Sequence, residues 1–441
     1  MSAIASRLAD DLDVTEWDAL EADKQARIMA AIGANTPPSC VATPRTEDEL
    51  SKVMAYSYEN GWRVLPMGQG SKLSWGGLAK GIDLVVSTAQ LNRLVEHAVG
   101  DFTVTVEPGL KVADLQRQLR AQGQFLAVDP AFGELASLGG LVATADTGSL
   151  RQRYGGLRDA LIGVKFVRYD GAIAKAGGRV VKNVAGYDLM KLMTGSYGSL
   201  GILSELTFRL YPVARNLRTV VLSGGGKAIE QAMAEVRMSG LTPESLDVVS
   251  ATLNHRAGSI GDRVLPQAER SRSLTIVVRF QGVAEGVEEQ TAWLKKIATT
   301  HGMGCEQMDG AADAEFWAQS QAIIRSDTVL CKVGLRPSGI PWLLELVDDV
   351  NLDGYARLHG GNGLGWVQLA QRDELAEGVE KLRSHCQKNG GFLSLLQGPK
   401  SLKQSMDVWG YAGDALGVMR DIKDKFDPQR LLSPGRFVGG L

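Results

Sequence analysis

Three short segments carry residue types suited to gripping a flat ligand linked through a diphosphate. The first, Pro66-Met67-Gly68-Gln69-Gly70-Ser71-Lys72, follows a short apolar run. Successive backbone N–H groups in such a loop make an anion-binding nest, and the Ser71 hydroxyl and Lys72 ammonium add a donor and a charge. The third glycine of a dinucleotide fingerprint is missing, with Leu73 at that spacing, which disfavours a Rossmann site. The second segment comprises Pro130 and Ser137-Leu138-Gly139-Gly140-Leu141, followed by Gly148 and by Arg153-Tyr154-Gly155-Gly156. Paired glycines allow a backbone to lie directly against a ligand. The third segment is Lys182-Asn183-Val184-Ala185-Gly186-Tyr187-Asp188, then Gly195-Ser196-Tyr197-Gly198-Ser199-Leu200-Gly201 just before Ile202. Glycine at every third position strips one wall of side chains and leaves N–H groups of the kind that stabilise negative charge on a reduced flavin. Asn183, Tyr187 and Asp188 are placed to hydrogen-bond or brace this loop. Each loop alone also suits an ordinary turn. Together, in this order, they point to a flavin nucleotide and to redox chemistry.

The totals are those of a soluble chain with two or three full cores. There are 441 residues, 44% of them hydrophobic and 22% charged, with a net charge of −2. That balance offers no basic surface for nucleic acid. Glycine is the outlier, at 52 residues where about 7% is usual. Cys40, Cys305, Cys331 and Cys386 are far apart with no C-x-x-C, so neither an iron–sulfur cluster nor a structural zinc is expected from this chain alone, and no metal site is assigned. Reduced thiols are the plainer reading, and a cytoplasmic location is expected. Asp10, Asp11 and Asp13 fall where a signal peptide needs an apolar core. No apolar run approaches the roughly 20 residues of a membrane span. Walker and nucleophile-elbow motifs are missing too, against an NTPase or an α/β hydrolase.

The elements that position these loops can be read from periodicity. Residues 1–35 read as an amphipathic helical arm ended by Pro37-Pro38. Thr46 with Glu49 makes a capping box, Leu50, Val53 and Met54 a buried stripe, and Gly61 a stop. Strands are expected at 62–66, 82–87 and 102–106, and a helix at 111–122. Residues 161–174 read as a hairpin with a two-residue Asp170-Gly171 turn, and Leu206, Phe208 and Leu210 mark a further strand. After Pro212 the order becomes β-α-β-β-α over 218–301, with strands at 218–222, 246–251 and 273–280, nearly repeated over 328–396. Such units lay helices on one face of an antiparallel sheet. The fold class is therefore α+β. The expected domains are an N-terminal extension (1–35), a cofactor-binding domain (36–216), a cap of two ferredoxin-like halves (217–400) and a tail returning to the first domain (401–441).

The three loops, their order, and the terminal Phe426-Asp427-Pro428 and Ser433-Pro434-Gly435-Arg436 resemble the vanillyl-alcohol oxidase / p-cresol methylhydroxylase (PCMH-type) family of FAD flavoproteins. The segments at 182–189 and 195–201 are most similar to the GlcE-type FAD-binding subunits of bacterial glycolate oxidases. The resemblance is strong over about 40–215 and moderate in the tail; over 217–400 it is mainly one of architecture. It implies a PCMH-type FAD-binding fold of two α+β subdomains, with a cap over the flavin ring where a 2-hydroxy acid is oxidised. Carried over by position, Gly68, Gln69, Gly70, Ser71 and Lys72 would hold the diphosphate. Pro130, Ser137, Leu138, Gly139, Gly140, Gly148 and Gly155 would line the nucleotide and flavin, and Gly195, Gly198, Gly201 and Ile202 would meet the flavin by backbone. Relatives that tether FAD use a histidine in the first loop or a cysteine elsewhere. Gln69 stands in this loop, so the FAD is expected to be non-covalent. Where relatives end the second loop in A-T-N-A-G, this chain has Ala143-Thr144-Ala145-Asp146. Relatives acting on lactate or glycolate carry H-x-G-D-G-N-x-H in the cap; here the run is His359-Gly360-Gly361-Asn362-Gly363-Leu364-Gly365, without a second histidine. His359 is thus a candidate base and Arg325, with Lys332, a candidate carboxylate ligand. The resemblance also implies a sister FAD catalytic subunit, an iron–sulfur subunit, a small 2-hydroxy-acid substrate, and membrane contact only through partners.

Overall fold

The computed structural model describes residues 2–179, 186–250, 274–349, 354–372 and 375–441. The expected contacts of Lys182, Asn183, Val184 and Ala185 lie outside these residues. The chain forms two compact units: one of residues up to Thr147, Gly156–Val213 and Tyr411–Leu441, the other of Gly148–Gly155 and Ala214–Gly410.

In the first unit, helix Glu47–Asn60 starts where Thr46 adopts an extended backbone and its hydroxyl accepts from the Glu49 N–H at 3.1 Å. The Glu49 carboxylate reaches back one residue further than a standard box, to the Arg45 N–H at 2.7 Å. Gly61, at φ +67°, ends the helix. Leu50, Val53 and Met54 pack on Leu84, Val86 and Ile202. A four-stranded sheet runs in the order Val14–Glu16, Cys40–Ala42, Leu84–Ser87, Val64–Met67. Its last three strands are parallel and almost wholly buried, as parallel strands usually are. A second sheet, antiparallel, has the order Leu94–Ala98, Thr103–Val106, Ile202–Arg209, Leu161–Val167, Ile173–Gly177. Helix Val112–Arg120 closes its core with Val112, Leu115 and Leu119.

Two expectations need correction. The arm before residue 35 is not continuous helix. Helices Ala3–Leu8 and Ala22–Ala31 flank the strand Val14–Glu16, which pairs with Cys40–Ala42, because Val14 and Thr15 favour the pleat. The Asp170-Gly171 turn is one residue longer than expected. The Arg168 N–H donates to Ala172 O and the Gly171 N–H to Arg168 O, with Gly171 at φ +84°. This is a type I turn closed by a left-handed glycine, the usual three-residue hairpin.

The second unit is built on an eight-stranded antiparallel sheet. Its order is Gly304–Asp309, Asn216–Gly224, Leu274–Gly282, Ser245–Val249, Tyr355–His359, Leu364–Leu369, Val329–Gly334, Phe392–Gln397. Each half is a β-α-β-β-α-β unit, and the halves join where Ser245–Val249 pairs with Tyr355–His359. Helices Gly226–Met238, Ala284–Thr300, Ile340–Asp349 and Leu375–Lys388 cover one face over an aliphatic core. Alternation along the strands sends Leu246, Val248, Ala356 and Leu358 into that core, and Asp247, Val249, Arg357 and His359 to the other face. Strand Gly304–Asp309 and helix Gly310–Ala322 were not expected. The strand is a half-exposed edge and shows no apolar period. The helix brings Trp317 onto the second face with Val249, Val277 and Tyr355.

Candidate active site

Strand Val64–Met67 delivers the first glycine loop, and Gly70 turns it at φ +78°. Gly68 is demanded by closeness: a Cβ there would stand 2.1 Å from Ser137 Oγ. Ser137 caps helix Leu138–Thr144, its hydroxyl accepting from the Gly140 N–H. A Cβ on Gly139 would meet Pro108 Cβ at 2.7 Å. The third segment is knitted to the second by Gly195 N–H to Val142 O at 2.9 Å and Tyr197 N–H to Ala143 O at 2.8 Å. Gly198 sits at φ +70°, and a Cβ on Gly201 would meet Phe166 at 2.7 Å. Three segments far apart in sequence thus meet around one crevice, enclosing about 750 Å³ with open solvent included. Gly68, Gly70, Ser71, Lys72, Ser137, Gly139, Gly140, Gly198, Gly201 and Ile202 form its wall. Ala145, Tyr197 and Ser433 hold left-handed backbones nearby without being glycine, a strain that persists only where the surroundings over-determine it.

The charges of the crevice are buried. Lys72 Nζ lies 2.6 Å from Asp146 Oδ2, with side chains 4% and 12% exposed, and 5.4 Å from the centre of the Trp75 ring. Asp146 also accepts from the Ala131 N–H at 2.9 Å. From the tail, Arg436 reaches the same wall and donates to Leu73 O and Trp75 O. Burial pulls its guanidinium down to about 10, against the opposing influence of Tyr197, so it stays charged at neutral pH. The Tyr197 hydroxyl is pushed well up by burial and stays neutral. Trp75 Nε1 and Ser433 Oγ are buried without a hydrogen-bond partner, a rarity in a closed interior. Side-chain-free walls, two buried cations and orphaned donors fit a diphosphate joined to a flat ring.

The remaining expected residues lie elsewhere. Gln69 lines a separate groove and donates to Gly109 O at 3.1 Å. Pro130 and Gly195 are outside the crevice wall, and Leu138 is turned into the core. Gly148 and Gly155 belong to the second unit; Gly155, at φ +81°, ends the short helix Arg151–Tyr154. Tyr187 is almost fully exposed, and Asp188 caps helix Leu189–Met193 instead of reaching a ligand. Arg325 is exposed and ion-paired with Asp327 at 2.6 Å, so nothing joins it to His359. Arg436 and Tyr197 also line the crevice and were not expected there, because their spacing carries no glycine signal.

On the second face of the eight-stranded sheet, strand register puts Asp247 opposite His359. The Asp247 Oδ1 to His359 Nδ1 distance is 2.7 Å. Asp247 Oδ2 accepts from Ser149 Oγ at 2.6 Å and from Arg357 Nε at 2.8 Å. Arg357 also donates to Ser320 Oγ and lies 5.0 Å from the centre of the Trp317 ring. All of this is buried: His359 is 2% exposed and Asp247 0%. Burial alone would raise the Asp247 carboxyl. The Arg357 and His359 charges, with the hydrogen bonds from His359 and Ser149, outweigh it and hold the group well below the usual carboxylate range. The sequence offered one signal for Asp247, a lone carboxylate inside the apolar run Ser245–Val249, which cannot be buried unpartnered. Among the described residues no group of three His, Cys, Asp or Glu side chains is placed to hold a metal, and no helix is long and apolar enough to cross a membrane.

An FAD binding domain family matches residues 38–177. The chain is 24% identical to glycolate oxidase subunit GlcD of Bacillus subtilis, over 90% of this chain and 88% of that one. It is 31% identical to the mitochondrial D-lactate dehydrogenase [cytochrome] of Arabidopsis thaliana, over 60% of this chain and 46% of the relative. Its fold superposes on the crystal structure of p-cresol methylhydroxylase with substrate bound at a TM-score of 0.74, with 15% identity, covering 98% of this chain and 95% of that chain.

Proposed function

We propose that this chain, which belongs to the PCMH-type FAD-binding flavoproteins and is an FAD-dependent oxidoreductase, oxidises a small 2-hydroxy acid to the 2-oxo acid. The observation that carries the reading is the convergence of residues 66–73, 137–144 and 196–203 with Arg436 on one glycine-walled crevice. In this reading Ser71, Lys72 and the loop amides hold the diphosphate. The backbone at 198–202 faces the ring, and Arg436 balances negative charge. FAD, when bound, supplies the two-electron acceptor for the substrate's α-hydrogen. His359 accepts the hydroxyl proton, a general-base task to which an imidazole with one bare nitrogen is suited. With Gln69 turned to the Gly109 carbonyl, FAD is held non-covalently.

The chain acts as the FAD-binding, GlcE-type subunit of a glycolate-oxidising complex, beside a sister flavoprotein and an iron–sulfur partner that takes the electrons onward. Turnover of glycolate or D-lactate by flavin-loaded protein with an artificial dye acceptor tests the catalytic reading. Absorbance of the purified protein in the flavin bands tests the cofactor. One observation favours a second reading, an accessory flavoprotein without its own turnover. Seven residues after His359, where lactate- and glycolate-oxidising relatives carry a second histidine, Trp366 packs edge-on against Tyr355 with ring centres 5.6 Å apart. Yellow protein inert toward every small 2-hydroxy acid would select that reading.

A further inference from the structure

We infer that Asp247, held by Ser149 and Arg357, is a positioning residue that fixes His359 in the tautomer with the proton on Nδ1 and turns Nε2 into the proton acceptor. This deepens the proposed function and rests on it for the identity of the substrate. The tautomer assignment itself does not depend on which acid is turned over.

Asp247 is fully buried and its carboxyl is held ionised. An ionised carboxylate only accepts hydrogen bonds. Its two oxygens are divided. Oδ2 takes Ser149 Oγ at 2.6 Å, Arg357 Nε at 2.8 Å and Arg357 Nη2 at 2.7 Å. Oδ1 faces His359 Nδ1 at 2.7 Å. The arginine brings Nε and Nη2 to the same oxygen, not one to each, which leaves Oδ1 to the imidazole. Nδ1 must therefore be the donor, and in the neutral ring the lone pair is on Nε2. The backbone carrying the ring is also held. Gly360 N–H donates to Leu246 O at 2.7 Å, tying the end of strand Tyr355–His359 to the strand carrying Asp247, and Gly363 N–H donates to His359 O at 2.8 Å, closing the turn that follows. A buried carboxylate orienting an imidazole is the arrangement by which hydrolytic triads prepare their base.

In the oxidation, the substrate O–H bond breaks with its proton passing to Nε2, and the α-hydrogen leaves carbon with its electron pair for the acceptor already named. The carbon becomes the carbonyl of the 2-oxo acid. His359 ends as an imidazolium whose charge Asp247 offsets, and it returns the proton to solvent between turnovers.

The test uses the full chain loaded with FAD and labelled with 15N in its five histidines, with His359 assigned by loss of its signals in His359→Gln. Long-range nitrogen–proton correlations above pH 8 should show Nδ1 protonated and Nε2 bare. The opposite tautomer overturns the inference whether or not any acid is turned over. Asp247→Asn should lower kcat for the active 2-hydroxy acid by about 10²- to 10⁴-fold with KM changed less than about threefold, the pattern of an orienting group, and should abolish the single tautomer. Where Asp247→Asn fails to fold, Ser149→Ala serves: it should cut kcat several-fold and leave Nδ1 protonated. Unchanged kcat in the folded variant overturns the proposal. A yellow wild-type protein that turns over no acid, yet shows the Nδ1 tautomer, counts against the proposed function and leaves the assignment of Asp247 standing.

Discussion

Asp146→Asn probes the crevice most directly, because it removes a charge while keeping an acceptor for the Ala131 N–H. Lys72 and Asp146 sit 2.6 Å apart, almost fully enclosed. Removing one member of such a pair leaves the other uncompensated, at a cost of about 3–5 kcal/mol. Partial exposure of Asp146 and the Trp75 ring near Lys72 place the case at the lower end. At about 2–4 °C per kcal/mol for a unit of some 150–250 residues, the flavin-free protein should melt about 6–12 °C lower. Flavin-loaded protein should lose half of that or less, since in the proposed placement a diphosphate beside Lys72 takes the place of the carboxylate. By linkage, every 1.4 kcal/mol recovered appears as a tenfold tighter FAD dissociation constant, about one order of magnitude here. Thermal melts with and without FAD, and quenching of flavin fluorescence on titration, read the two sides of the cycle. Equal losses in both forms with unchanged affinity would refute the placement of the diphosphate beside Lys72.

Other perturbations follow from single positions. Gly198→Val puts a branched side chain at φ +70°, with its Cβ 3.2 Å from Pro66; the purified protein should be colourless and about 2 kcal/mol less stable by urea unfolding. Gly363→Ala places a Cβ 1.7 Å from Leu335 O at φ +73°; it should cost the second unit about 3 kcal/mol or more while FAD absorbance is retained. Because Asp247 titrates below its ordinary 3.8, the unfolded chain takes up that proton first as pH falls. The stability it lends is whole above about pH 4 and drains below it, so denaturant unfolding followed by tryptophan fluorescence should steepen in acid in the wild type and flatten in Asp247→Asn.

Periodic elements were legible and edges were not. Strands Tyr355–His359 and Leu364–Leu369 and helix Leu375–Lys388 fall in order within the β-α-β-β-α repeat expected over 328–396. Strand Gly304–Asp309 escaped because it reads Gly-Cys-Glu-Gln-Met-Asp: an edge strand with one covered side has no reason to alternate. Helix Gly310–Ala322 escaped because it packs through Asp313, Trp317 and Ser320, polar groups whose partners Thr219, Arg279 and Arg357 are supplied by distant strands. The crevice was legible as glycine, since glycine is what close approach requires. Its buried cation Arg436 and the carboxylate beside Lys72 were not, since a charge in sequence does not reveal what it will face.

The run from His359 to Gly365 shows how a motif can mislead. Gly363 and Gly365 are fixed by packing, with a Cβ at either meeting a backbone oxygen, Leu335 O at 1.7 Å or Arg357 O at 2.1 Å. Gly360 would strike Met233 and Gly361 would strike Gln152. These glycines shape a hairpin that must cross its neighbours closely, and such a hairpin would need them with or without chemistry nearby. The stronger evidence for a reactive histidine comes from 112 positions earlier in the chain. A sheet face buried beneath Trp317 gains nothing in stability from an isolated carboxylate that an apolar side chain would not supply at lower desolvation cost. Asp247, with three residues satisfying its oxygens and one of them an imidazole, is therefore the residue whose presence the fold alone does not explain. Replacing Asp247 and His359 together by Leu and Phe should leave the second unit as stable as before, within about 2 kcal/mol, only if Arg357 is also neutralised. If the triple variant is stable and loses all turnover, the cluster was kept for chemistry and not for folding.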